Sequence, residues 1–215
     1  MTENFYNSII EALIFSSDEP LKASEIIQAI RGIDGDDVDI NEKIILQIVT
    51  DLNQRYDEQK SAFKIMLIAD GFIFATRTDF AKYLGYLSNE KSKRRLSAAA
   101  LETLAIVAYK QPITKPEIET IRGVNSDYIL NTLLEKQLIT ISGRAETIGR
   151  PLLYTTTDEF LKYFGLNKLA DLPKPREIEE IMQDEDFLEQ RRKLFVTEIE
   201  ESVEQEIIRE ENESN

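Results

Sequence analysis

Apolar positions along the first stretch of the chain recur at three- and four-residue spacing. Phe5, Ile9, Ala12 and Leu13 form one stripe with Ser16, which predicts a helix from Asn4 to Ser17. Asp18-Glu19-Pro20 breaks it. Ser24 then caps a short helix carrying Ile26, Ile27 and Ile30 and ending at Gly32, followed by the polar loop Asp34-Gly35-Asp36-Asp37. Asn41 opens a third helix whose apolar face is Ile44, Ile45, Ile48, Val49, Leu52 and Tyr56. Phe63–Ile68 and Phe72–Thr76 are rich in β-formers and flank Ala69-Asp70-Gly71, a hairpin signal. A short helix from Asp79 to Leu87 closes this segment.

The same order then recurs. Ser97 caps a helix to Tyr109 with Leu101, Leu104, Ala105 and Ala108 as its stripe, and Pro112 stops it. Thr114 opens the next helix, with Pro116 in the first turn, Glu117 at the capping-box position and Gly123 at the end. Asn125 or Ser126 starts a third, in which Ile129, Leu130, Leu133, Leu134 and Leu138 face inward. Leu138–Ser142 and Leu152–Thr156 pair across Gly143–Pro151, and Thr157 caps a last helix through Phe164. Two runs of helix, helix, helix, hairpin, helix predict an internal duplication. The fold class expected is mainly α with small β-hairpin wings: two tandem winged-helix domains, each a helix-turn-helix core with a two-stranded wing. The domains are residues 1–90 and 96–175, joined by a polar linker at 91–95 and followed by an acidic tail at 176–215, mobile or partly helical.

Composition narrows the chemistry. The chain has no cysteine and no histidine, which removes disulfides, thiolate or imidazole metal ligands, and Cys or His catalysis. No signal peptide or membrane-spanning stretch is visible, so the expected compartment is the cytoplasm. The net charge of -14 is uneven: -4 over residues 1–95, zero over 96–175 and -10 over 176–215. Such a tail repels nucleic acid. The third helix of the first segment sets Lys43 and Arg55 against Glu42, Asp51, Asp57 and Glu58, and that of the second sets Lys136 against Asp127 and Glu135. Neither carries the basic stripe that phosphate binding needs. The strongest positive cluster is the linker Lys91, Lys93, Arg94 and Arg95, which reads first as a solvated linker and only second as a weak contact to DNA phosphates.

No catalytic constellation stands out either. No carboxylate pair sits on apolar flanks as an acid/base couple would. Gly143–Pro151 lacks the Lys-Ser/Thr ending of a phosphate loop and reads as a wing turn, with glycines at positive φ and Glu146 paired to an arginine. The expectation is a non-enzyme with no cofactor and no metal.

The second segment resembles the segregation and condensation protein B family, the accessory subunit of bacterial condensin. The resemblance lies in the gapless run Leu96–Thr114, in Glu117-Ile118, Ile121-Arg122-Gly123-Val124 and Gly143–Pro151, and in Phe164-Gly165-Leu166 and Leu172-Pro173. Over the first 90 residues it rests on element order and on fragments such as Ile10–Phe15 with Pro20-Leu21. It implies two winged-helix domains, a homodimer formed through the first, and binding to the kleisin that bridges the heads of the structural-maintenance-of-chromosomes (SMC) ATPase. The implied role is a non-catalytic adaptor in chromosome condensation and segregation, cytoplasmic and nucleoid-associated through its complex. Two positions depart from the family pattern: Lys115-Pro116, where a basic residue then Ala is expected, and Thr155, where Gly is expected. Candidate kleisin contacts are Tyr109, Gln111, Pro112 and Ile113 at a helix end and turn, with Arg144, Glu146 and Arg150 on the wing as polar alternatives. Candidate dimer contacts are Phe5, Tyr6 and Ile10, taken as exposed apolar residues of the first helix. The competing reading from the helix-turn-helix order is a DNA-binding transcription regulator.

Overall fold

The computed structural model describes residues 2–88 and 96–174. The linker cluster at 91–95 and the acidic tail therefore lie outside the described residues. Met1–Asp171 is one compact unit and Leu172–Asn215 a second. Of the latter, only Leu172–Lys174 are described.

The first unit contains two runs with the same element order. The first is α1 (Thr2–Ser16), β1 (Leu21–Lys22), α2 (Ala23–Asp34), α3 (Glu42–Glu58), β2 (Phe63–Ile68), β3 (Gly71–Thr76) and, after a 3₁₀ turn at Thr78–Phe80, α4 (Ala81–Ser88). The second is α5 (Ala98–Lys110), β4 (Ile113–Thr114), α6 (Lys115–Arg122), α7 (Asp127–Glu135), β5 (Ile139–Arg144), β6 (Leu152–Thr156) and α8 (Asp158–Phe164). The architecture is mixed, helices with small antiparallel sheets.

Both sheets are three-stranded, in the orders β1-β3-β2 and β4-β6-β5, where the sequence predicts two-stranded wings. The extra strands are two residues each, too short for any period to mark them. Each follows a helix-stopping proline, Pro20 or Pro112, that turns the chain back toward the hairpin. Leu21 pairs with Phe72 and Ile113 with Tyr154, so the inner strand of each hairpin is covered on both sides.

Ile10, Ile14, Ile26, Ile30, Ile45, Leu52, Ile65 and Phe72 form the core of the first run. Three details differ from the periodic reading. In α1 the buried positions are Ile10 and Ile14, whereas Phe5 and Ala12 are exposed. The α2 helix continues through Gly32 to Asp34, and Gly35 at φ +98° ends it, because the glycine alone costs too little to stop a helix backed by tertiary packing. On α5 the buried face is Ala100, Thr103, Leu104, Val107 and Ala108, with Leu101 42% exposed and Ala105 exposed. This helix is apolar nearly all round, so spacing alone leaves its inward face undecided.

Four caps fall where polar side chains predict them, whereas Ser24 lies within α2 and Lys22 is the residue that caps that helix. Asn41 Oδ1 accepts from Ile44 N–H at 3.1 Å, and Ser97 Oγ from Ala100 N–H at 3.2 Å. Thr157 Oγ1 likewise accepts from Phe160 N–H at 3.2 Å. The Glu117 carboxylate accepts from Thr114 N–H at 2.8 Å and from its hydroxyl at 2.6 Å. The hydroxyl, then the backbone N–H, holds the Glu117 pKa below its usual value of 4.5. A lowered folded pKa gives stability that is present above the unfolded pKa and lost as pH falls through the folded one. Glu117→Gln is therefore expected to lower the thermal midpoint at pH 7, with the gap to the parent closing on acidification below 4.5. A gap independent of pH would show that the carboxylate charge is not what caps α6.

A second carboxylate ties α1 to α3. Glu11 accepts from both Arg55 Nη2 at 2.7 Å and the Tyr56 hydroxyl. Burial first, then the bond to Glu11, pushes the Tyr56 pKa up to about 12.

Candidate partner-binding surfaces

The turn after α5 divides the first set of candidates. Gln111 is engaged within the fold: Nε2 donates to Ala108 O at 3.1 Å, and Oε1 accepts from Thr156 N–H at 2.8 Å. Its carboxamide thereby ties the end of α5 to β6. Ile113 is 4% exposed and sits opposite Tyr154 in the sheet. Ile113 is corrected to a structural position, because its pairing with Tyr154 draws it inward, and Gln111 is half-buried with its carboxamide spent on these internal bonds. Tyr109, 44% exposed, and Pro112 remain at the surface.

The loop from β5 to β6 is ordered by its own backbone. Ala145 N–H donates to Pro151 O at 2.9 Å and Arg150 N–H to Thr147 O at 2.9 Å, with Gly149 at φ +83°. Arg144 Nη1 reaches Arg150 O at 3.1 Å, and Glu146 forms no ion pair among the described residues. The predicted pairing of Glu146 is thus replaced by a guanidinium-to-carbonyl bridge across the loop. Arg144, Glu146 and Arg150 are all exposed.

Folding brings this loop against the turn after α5. Pro112, Thr114 and Pro116 on one side and Ala145, Ile148, Pro151 and Leu153 on the other line an open groove of about 340 Å³. Ile148, fully exposed at the loop, is the apolar residue that the sequence reading passes over. Its signal was available as an isolated aliphatic side chain in an otherwise polar loop.

In the first run, Ile10 is 0% exposed and belongs to the core, so it is not the surface residue expected; the helix turns that position toward α3. Tyr6 packs partly buried against the same core, and Phe5 is 61% exposed. A larger apolar surface lies elsewhere. Every described side chain of α4 is exposed, and Phe80, Tyr83, Leu84 and Tyr86 at this end of the run are uncovered.

On the helices that would read DNA in a helix-turn-helix, several polar side chains make local contacts. On α3, Gln47 donates to Asp51 at 2.9 Å and Gln54 to Glu58 at 3.1 Å. Lys115 pairs with Asp127 at the start of α7 and with Glu119 at 3.6 Å; the Asp127 bond, above all, raises its pKa. Arg55, Arg77 and Arg122 are likewise paired, with Glu11, Asp57 and Glu102. Among the described residues no group of acidic side chains could hold a metal ion, and no helix is long and apolar enough to cross a membrane.

Residues 8–175 match the family described as segregation and condensation complex subunit ScpB. The chain belongs to this family. A segregation and condensation protein B of Symbiobacterium thermophilum is 46% identical over 179 residues, spanning 83% of this chain and 77% of that one. That of Clostridium tetani is 42% identical over 180 residues, 84% and 91% of the two chains. Among solved structures, ScpB from Mycobacterium tuberculosis is 28% identical over 77% of this chain and 98% of its own, with a TM-score of 0.35. A conserved hypothetical protein from Chlorobium tepidum is 38% identical over 76% and 98%, with a TM-score of 0.37. ScpB membership covers both runs of the fold, and with it the turn, the loop groove and α4.

Proposed function

We propose that this ScpB-family chain is a non-catalytic adaptor of two tandem winged-helix domains, residues 1–90 and 96–175, that binds the kleisin of a bacterial condensin. Through the kleisin it meets the SMC ATPase and serves chromosome segregation and condensation in the cytoplasm. The observation that carries this reading is the state of α3 and α7. On α3, Gln47 and Gln54 bond to Asp51 and Glu58 and Arg55 pairs with Glu11, while on α7 Asp127 pairs with Lys115, so neither helix carries the basic stripe that phosphate binding needs. What stands open instead is apolar surface. The groove beside Pro112 and Ile148 suits an extended or helical kleisin segment, with Tyr109, Arg144, Glu146 and Arg150 around it. The uncovered α4 face and Phe5 suit a second copy of the chain.

The test is co-purification of the tagged full-length protein with its kleisin, using the parent and an Ile148→Asp variant. The parent is expected to retain the kleisin, and the variant to lose at least tenfold in affinity with an unchanged circular dichroism melt. Recovery of a specific duplex in place of a kleisin would promote the transcription-regulator reading.

A further inference from the structure

Among the described residues, three hydrogen bonds join the two runs of the fold. The turn of the β2–β3 hairpin, Ala69-Asp70, lies against the end of α8. Ala69 N–H donates to Leu166 O at 3.0 Å and Asp70 N–H to Asn167 Oδ1 at 2.9 Å. Beside them Lys162 Nζ donates to Glu19 Oε2 at 2.6 Å. Both partners are shaped for the meeting. Ala69 and Asp70 take φ of +48° and +62°, the turn that joins two strands by two residues and aims their amides outward. Gly165, at φ +66°, ends α8 and turns the chain so that the Leu166 carbonyl and the Asn167 side chain follow at its tip.

The Asp70–Asn167 and Lys162–Glu19 bonds are both solvent-exposed. Alongside them runs an open cleft of about 230 Å³, floored by Pro20, Ile68, Ile73 and Tyr163. Its rim holds Asp18, Glu19 and Glu159 with Lys162 as the cation, and the bond to Glu19 is the main cause of the raised Lys162 pKa. Regions held by solvent-exposed hydrogen bonds are the ones that open most readily. An exposed ion pair adds orientation more than strength.

We infer that this contact is a releasable latch. Closed, it fixes the α8 end on the β2–β3 turn and sets one mutual arrangement of the two runs. Open, it releases that arrangement. The latch decides which surfaces of the two runs a partner meets together, and it does so whatever that partner is. Charge at residues 19 and 162 and the carboxamide at residue 167 set its balance.

The experiment is pulsed electron–electron distance measurement on the full chain. No native cysteine interferes, so nitroxides are placed through Lys43→Cys on α3 and Asn131→Cys on α7, both exposed. Dilution with unlabelled protein ensures that only pairs within one chain are read. The parent is expected to give one dominant, narrow distance. Lys162→Glu with Asn167→Ala is expected to move the majority of the signal to a broad second population. Adding Glu19→Lys to Lys162→Glu is expected to return most of it to the first. A parent distribution that is already broad overturns the latch. So does a variant distribution unchanged from the parent, or a failure of the charge swap to restore the narrow distance.

Discussion

Ile10→Asp is expected to unfold the first run of the molecule. Ile10 is wholly buried among Ile14, Ile26, Ile45 and the other aliphatics of that core. A carboxylate there either stays charged without a partner or takes up a proton, and both cost free energy. With the lost aliphatic packing, the penalty is about 4 kcal/mol or more, a large part of the stability of a domain this size. The measurement is guanidinium unfolding followed by circular dichroism, where the variant should show no folded baseline for this part. A cooperative transition within 1 kcal/mol of the parent (about the median effect of any substitution) would contradict the burial. Phe5→Asp makes the control. Its side chain is 61% exposed, so the fold should survive and any change in solution mass reads the proposed dimer alone.

Gly71→Ala is the second large effect. A Cβ at this position would lie 2.6 Å from the Pro20 carbonyl carbon and 2.7 Å from its oxygen. Main chain is what it meets, so no side-chain rotation relieves the clash. Gly71 is also paired with Lys22 in the β1–β3 ladder and with Ile68 across the hairpin. Separating Pro20 from β3 therefore strains the small sheet and the α1–β1 connection together. The expected loss is roughly 1–3 kcal/mol, the range for forced overpacking. The readout is the thermal midpoint, with loss of amide protection at Phe72 as the local signature. An unchanged midpoint would mean that the strand and Pro20 can part freely.

The legible parts of this fold are those decided by one residue and its near neighbours. Asn41, Ser97, Thr114 with Glu117, and Thr157 each satisfy backbone N–H groups within three positions, so the sequence contains both halves of the interaction. The hairpin turn at Ala69-Asp70 is equally local. Burial is harder to read where apolar residues outnumber the positions a core can take. On α5, Leu101 and Leu104 look equivalent by type, yet one is 42% exposed and the other 1%. The two-residue strands and the roles of Gln111 and Ile113 depend on partners more than 35 residues away, which no local pattern encodes. For the candidate surfaces, the sequence marked the turn after α5 and the loop between β5 and β6 by residue type alone. It did not show that Pro112 and Ile148 share one groove, which only the antiparallel return of β6 brings about.

Asn53 carries a consequence for life at high concentration. The β2 strand is an edge of its sheet, and its middle residue is clasped by that carboxamide: Nδ2 donates to Ile65 O at 2.9 Å while Oδ1 accepts from Ile65 N–H at 2.8 Å. One side chain thus imitates the rung that a neighbouring strand would supply. An approaching edge finds its central docking point already occupied, which disfavours edge-to-edge pairing along this strand at high concentration.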